Sequence, residues 1–521
     1  HTEYALVEDH FARVNTAMTR GRPVVRVGVV HPVESYWLHW GPSEQTAEIR
    51  EQMDRNFREL TEWLLFGQID FDFISESLLP SQCPAGGAPL QVGKMAYDAV
   101  IIPGCETLRS TTAQRLEAFQ KAGGRLIVLG RAPRLLDADG PDGKLDFLRE
   151  AEQIPFEKCA LLEGLSDLRE LEIRTAHGRR ADWLLTQLRQ DGESRWLFIA
   201  NGRKPANQNH IRPEELVIRL KGHWKPTLYD TMTGDTLPLA AEIRGEDTLL
   251  RRTLYTQDSL LLRLDLGEPA GGQADAPRIA AGEGWTERVD VELSEPNVLL
   301  LDTAAYALDG GAYRPAEEIL RLDNRLRAEL GLPPRGGAIA QPWVAPPEQP
   351  THRVSLRFAI QSEIACEDIR LAMEAPEGSE IVFNGAAVEP APTGWYVDES
   401  IKTIRLPGLQ TGANTLEITW PFGRSTNLEW CYLLGDFGVR VAGTEKVVTS
   451  PVRTLAFGDA TRQGLPFYGG NILYKLRVTG DGKPLSVQVP FYRGALMGVL
   501  LDGKRVGSIV FDPYTLTLPA F

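Results

Sequence analysis

The chain has 521 residues, 43% of them hydrophobic and 24% charged, which suits a soluble globular protein of roughly three to four domains. Its net charge is −14 and it holds no basic block, which argues against a nucleic-acid partner. No run approaches the ~18 apolar residues of a membrane-spanning helix, so no membrane partner is expected.

The first predicted element is an amphipathic helix over residues 3–20. Tyr4, Val7, Phe11, Val14 and Met18 form its apolar stripe, and Gly21 with Pro23 stops it. Val24 to Val30 reads as a buried strand. The loop that follows, HPVESYWLHW, packs His31, Glu34, Tyr36, Trp37, His39 and Trp40 into ten positions. A helix from Ser43 to Phe66 carries Ile49, Met53, Phe57, Leu60 and Leu64 on one face. IDFDFISESLL from Ile69 alternates as a second strand, and YDAVIIPG is a third. Ser110 is the expected N-cap of a helix closed by Gly123-Gly124, and RLIVLG is a fourth strand. Short, continuous apolar strands alternating with helices describe a parallel sheet covered on both faces. Residues 22–155 therefore read as one flavodoxin-like domain.

After it, SRWLFIAN, LVIRL, PTLYD and DSLLLRLD are short strands separated by Asp191-Gly192 and Thr233-Gly234 turns, a small antiparallel β domain over 156–267. Residues 268–284 are a Gly/Pro/Ala linker. From Trp285 onward strands dominate, interrupted by a helix near Ala316–Leu330 and a Pro-rich connector from Leu332 to Pro350. IVFNGAAV and GVLLDGKRVG are two hairpin signals, which suggests two related β-sandwiches or two halves of one. After the first comes GANTLEITW. No such strand follows the second, and the chain begins without methionine, so both ends read as cut and the lack of a signal peptide says nothing.

Catalytic motifs are sparse. There is no G-x-S-x-G elbow, no H-E-x-x-H, no P-loop and no G-x-G-x-x-G after the first strand, so no cofactor and no metal are called for. The cysteines, Cys83, Cys105, Cys159, Cys366 and Cys431, are odd in number and scattered, which favours reduced thiols and a cytoplasmic setting over a disulfide framework. Cys105 ends the third strand, where α/β sheets bind ligands. It lacks the sharp G-x-C-x-G turn and a nearby histidine, and a small buried residue is the simpler reading.

The 31–40 loop sits at that same sheet edge. His31, Glu34 and His39 could supply acid–base chemistry, and Tyr36, Trp37 and Trp40 could stack on a sugar, but packing against another domain or subunit explains the set best. Trp395, Tyr396, Trp430 and Tyr468 lie in aromatic-rich strands, as core residues first and sugar contacts second.

The order PVVRVGVVHP, YDAVIIPG, GGRLIVLG resembles the segment that follows the (β/α)8 barrel in several bacterial glycoside hydrolases. There a flavodoxin-like, amidotransferase-like domain without amidotransferase activity follows the barrel. In β-galactosidases of that architecture it mediates trimerisation and can border the active site. FNGAAV, GANTLEITW, NLEWCYLLGDFGV and QGLPFYGGNILY are similar to the galactose-binding-like jelly rolls of α-L-rhamnosidase-type hydrolases. The resemblance implies a helix at 1–21 that ends a barrel or connects to it, a multidomain α/β plus all-β fold, and carbohydrate, a catalytic barrel and further copies of the chain as partners. A barrel needs roughly 250 residues and only about 20 precede the first strand, so the paired carboxylates of such an enzyme are not expected here and no catalytic residue is carried over. A stand-alone carbohydrate-binding protein is the alternative.

Overall fold

The computed structural model describes residues 2–140, 143–207, 213–269, 285, 287–335, 349–489 and 491–521. Most of the expected 268–284 linker and the centre of the Pro-rich connector lie outside the described residues. The chain falls into two compact units, one formed by residues 1–281 with 480–521 and the other by 282–479.

The first unit opens with α1 (Ala5–Met18). Its period is as expected but its phase is not. Ala17 is buried, with Met18 packed beside it, whereas Tyr4 and Phe11 of the expected stripe are 58% and 61% exposed. Five strands then build a parallel sheet: β1 (Val27–Val30), β2 (Phe71–Ile74), β3 (Ala99–Ile102), β4 (Arg125–Leu129) and β5 (Glu152–Ile154). Their order across the sheet is 2-1-3-4-5, all parallel. β5 carries no run strong enough to be read from sequence. Between β1 and β2 come a six-residue helix, α2 (Val33–Leu38), where a loop is expected, and the long α3 (Ser43–Phe66).

Helices cover both faces, as continuous apolar strands require. Leu60 and Leu64 of α3 and Leu161 of α5 (Lys158–Gly164) pack on Val27, Val29, Ile101 and Ile127. Leu116 and Phe119 of α4 (Ser110–Lys121) pack on Val30, Val100, Ile102 and Val128 on the other side. Side chains packed over β1 leave room only for glycine at position 28: a Cβ there would lie 2.6 Å from Ile74 Cδ1 and 3.0 Å from Tyr97. Ser110 is not the N-cap of α4. Arg109 holds that position, and the carboxylate of Asp137 accepts the Ser110 N–H at 2.9 Å instead.

Further along the same unit, a six-stranded and a four-stranded antiparallel sheet share a core that includes Ile173, Leu184, Leu197, Ile218, Leu250 and Leu262. α1 lies on the outer face of the six-stranded sheet, where Ala17 meets Trp196 and Leu261. The hairpin Met497–Leu501 with Lys504–Ile509 forms at Asp502-Gly503, as the sequence signals, with φ of +48° and +76°. It groups with the first unit, not with the sandwich region in which the sequence reading places it. Arg505 holds Glu3 through two bonds of 2.6 and 2.9 Å, and Tyr514 reaches Gln257 at 3.1 Å.

The second unit is a sandwich. A five-stranded sheet, from Asn297–Leu301 at one edge to Pro392–Tyr396 at the other, packs on a larger sheet centred on His352–Ser362 and Gly412–Phe422. Those two central strands alternate buried with more exposed residues along their length, the period-2 signature of a half-buried strand. The helix Ile319–Glu329 carries a fully buried ion pair within itself, Asp323–Arg327 at 2.6 Å. Arg327 also donates to the carbonyls of Arg424 and Thr426, so its charge is not stranded.

Candidate functional site at the edge of the parallel sheet

The carboxyl ends of β1, β2 and β3 deliver His31 to Glu34, Ser75 to Glu76 and Cys105 to Arg109 to one edge of the sheet. This is where doubly wound sheets present side chains. α2 is too short to be stable by itself. It is pinned by long-range bonds. Ser35 is fully buried, and its Oγ accepts the backbone N–H groups of Glu106 and Thr107 at 3.0 and 3.1 Å. Glu34 accepts from Arg109 Nε at 2.7 Å, and His39 Nε2 lies 2.9 Å from Glu106 Oε1.

Trp37 and Trp40 stand out from this pinned frame, 58% and 71% exposed. Tyr36 lies 6.5 Å from the Trp40 ring, and the Arg50 guanidinium sits 5.1 Å over it. His31 points elsewhere, into an aromatic cluster 5.2 Å from Phe57 and 5.8 Å from Phe73. Phe73 lies on β2, the edge strand, and is 42% exposed. The result is an apolar, aromatic ledge along one border of the sheet.

Beneath the ledge lies a buried carboxyl that the sequence reading did not single out. Glu76 is 1% exposed and accepts the Arg109 backbone N–H at 2.8 Å. Burial pushes its carboxyl up to about 7, the Arg109 N–H pulls it back, and the charge of Glu34 pushes it further up. One oxygen each of Glu34 and Glu76 is buried without a hydrogen-bond partner. Cys105 is 2% exposed, and its thiol is pushed up by burial first and by Glu76 second. A thiol so placed is protonated and inert. The set can hold a proton and fix a surface; it offers no accessible nucleophile.

No family model matches the chain, and no curated protein matches it. Among solved structures it is similar to a rhamnosidase from Novosphingobium sp. PP1Y, at 15% identity and a TM-score of 0.35, over 80% of this chain and 37% of that one. A GH42 exo-carrageenase from Bacteroides ovatus aligns at 14% identity and TM-score 0.28, over 46% of this chain and 29% of that one. An α-L-fucosidase isoenzyme 2 from Paenibacillus thiaminolyticus aligns at 13% and 0.31, over 51% of each chain. The chain thus spans well under two thirds of the length of each of these proteins.

The six ledge candidates come together at one sheet edge, but in two groups. His31 joins Phe57 and Phe73, whereas Glu34, Tyr36, Trp37, His39 and Trp40 belong to α2 and the turn after it. Three of the four sandwich aromatics have partners of their own. Trp395 is 56% exposed on an edge strand, and Tyr396 packs 5.4 Å from Tyr432. Trp430 donates to Glu318 at 2.9 Å, and Tyr468 donates to Glu295 at 2.8 Å. Among the described residues all five cysteines are free and no cluster suited to a metal ion is present. Among the described residues no helix is long and apolar enough to cross a membrane.

Sequence reasoning missed Ser35, Glu76, Glu106 and Arg109. One signal was available. Each lies two to seven residues past the end of a parallel strand, so collecting the residues after every apolar run would have gathered them.

Proposed function

We propose that the chain is the non-catalytic portion of a multidomain glycoside hydrolase, with a flavodoxin-like domain and a galactose-binding-like jelly roll, and that the α2 ledge is its docking surface. The observation that carries this reading is the exposure of Trp37 and Trp40 on a segment whose backbone is anchored at Glu34 and Ser35. A tryptophan held in place before binding loses little freedom on binding, which is the signature of an interface anchor. The ledge faces a catalytic barrel, in the same polypeptide or another, or a second copy of the chain. Burial of Cys105 supports a supporting role over an esterase-like or amidotransferase-like one.

The test is Trp37→Ala with Trp40→Ala in the longest natural form of the protein. The mass in sedimentation falls, or kcat/KM for glycoside substrates drops about tenfold, the loss of ~1.4 kcal/mol of contact energy. Unchanged mass together with unchanged kinetics overturns the proposal. Exposure of Trp395 supports the alternative, a stand-alone carbohydrate-binding protein, which requires sugar affinity that Trp395→Ala abolishes.

A further inference from the structure

The ledge stands on a helix that its own sequence does not support. α2 has six residues and Pro32 precedes it, too short to persist without outside contacts. Its polar side chains reach the segment after β3: Ser35 to the N–H groups of Glu106 and Thr107, and Glu34 to Arg109. His39, at its end, reaches Glu106. Arg109 joins this helix to a second carboxyl. Its guanidinium Nε donates to Glu34 at 2.7 Å, and its backbone N–H donates to Glu76 at 2.8 Å. One oxygen of each carboxyl is buried with no hydrogen-bond partner, Oε2 of Glu34 and Oε1 of Glu76. A buried carboxyl that lacks partners is tolerable when neutral and costly when ionised.

The groups that face Glu76 do not relieve it. The guanidinium in reach is that of Arg109, and Glu34 already holds its Nε. Thr112 of α4 brings a hydroxyl but no charge. Cys105 is held protonated by burial first and by Glu76 second, with Glu106 and Glu34 acting the same way. Asp137, past β4, is a further carboxylate within reach of Arg109 and is fixed on the Ser110 N–H at 2.9 Å. His39 meets Glu106 as an ion pair only with its ring protonated, so that contact also weakens as protons leave.

We propose that α2 is a proton-operated latch: with a proton on Glu76 the helix stays closed on the sheet edge and presents Trp37 and Trp40, and when that proton leaves, the helix opens and water reaches the carboxylate. Resting on the docking role proposed above, the latch adds its regulation: the ledge docks in acid and lets go near neutral pH. With α2 open, Glu76 ionises near 4.5; with α2 closed, it keeps its proton up to about 7. The closed form therefore has its full advantage below 4.5 and loses it as pH rises through about 7, above which opening levels off.

The experiment is hydrogen exchange on the full chain from about pH 5 to pH 8, read over residues 33–40 as protection factors so that the intrinsic pH dependence of exchange cancels. Wild-type protection should fall about tenfold or more between pH 5 and pH 7 and then level off. Glu76→Gln should remove most of that fall. Glu34→Gln, which takes away the facing charge, should move its midpoint to lower pH. Wild-type protection that ignores pH, or a fall of the same size in Glu76→Gln, overturns the latch. If Glu76→Gln does not fold, Glu34→Gln decides, and an unmoved midpoint overturns it. Sedimentation of the longest natural form separates the latch from the docking role. A mass that falls in Trp37→Ala with Trp40→Ala but is the same at about pH 5.5 and pH 7.5 overturns the regulation. Protection that responds as expected, in a protein whose mass and kcat/KM ignore the tryptophan changes, supports the latch and removes the docking role.

Discussion

Glu76 is the residue where the chemistry of the molecule is most concentrated. In the unfolded chain its carboxyl releases a proton near 4.5, whereas in the fold it holds that proton up to about 7. Stability from this group is therefore fully present below 4.5 and is lost as pH rises through about 7, a loss on the order of 3 kcal/mol at ~1.4 kcal/mol per unit. Glu76→Gln removes the titration, so the variant should gain on the wild type between pH 5 and pH 8 in urea unfolding. Parallel pH profiles would show that Glu76 ionises as an ordinary surface carboxylate. Asp323 poses the opposite case. Its partner Arg327 is 1% exposed, so Asp323→Ala leaves a cation buried and should cost about 3–5 kcal/mol in the second unit. Replacing both by leucine and methionine should recover most of that loss in the same melting experiment.

At the scale of elements, α2 depends on contacts that no local sequence signal encodes. Ser35→Ala strands two buried N–H groups and should cost about 1–3 kcal/mol, read as faster proteolysis between residues 31 and 42. An unchanged cleavage rate would mean that the helix stands on its own propensity. This dependence explains what was legible. α3 was readable to the residue because 24 residues of helical period outvote any ambiguity. β1, β3 and β4 were readable because buried parallel strands are continuous apolar runs. α2 was not, since Pro32 and Pro42 frame it and its anchors lie 71 to 75 residues further on. β5 has three residues and one fully buried side chain, too little for a pattern. On α1 the period was right and the phase wrong, because the packing partners are Trp196, Leu261 and neighbouring aromatics of a later sheet. Trp37 and Trp40 were visible as a cluster from the start, but the carboxyl beneath them was not, because its position depends on a second strand and a third.

For the whole molecule, the tail matters more than its composition suggests. Ile509 and Leu518 are buried, and Arg505 ties the tail to Glu3. Removal of residues 480–521 should lower the unfolding midpoint of the first unit and leave the second unchanged, measured by hydrogen exchange on the strand Ser259–Leu266 and on the sandwich strands. Equal protection in both forms would make the tail dispensable. The arrangement also sets a timetable during synthesis. Residues 480–521 leave the ribosome only after all of the second unit. The sandwich can therefore close while its host is still incomplete, and the first unit must wait, partly open, for its last hairpin. A nascent chain that has emerged as far as residue 479 should accordingly carry a finished sandwich beside an unfinished neighbour, the stage at which a chaperone has most to hold.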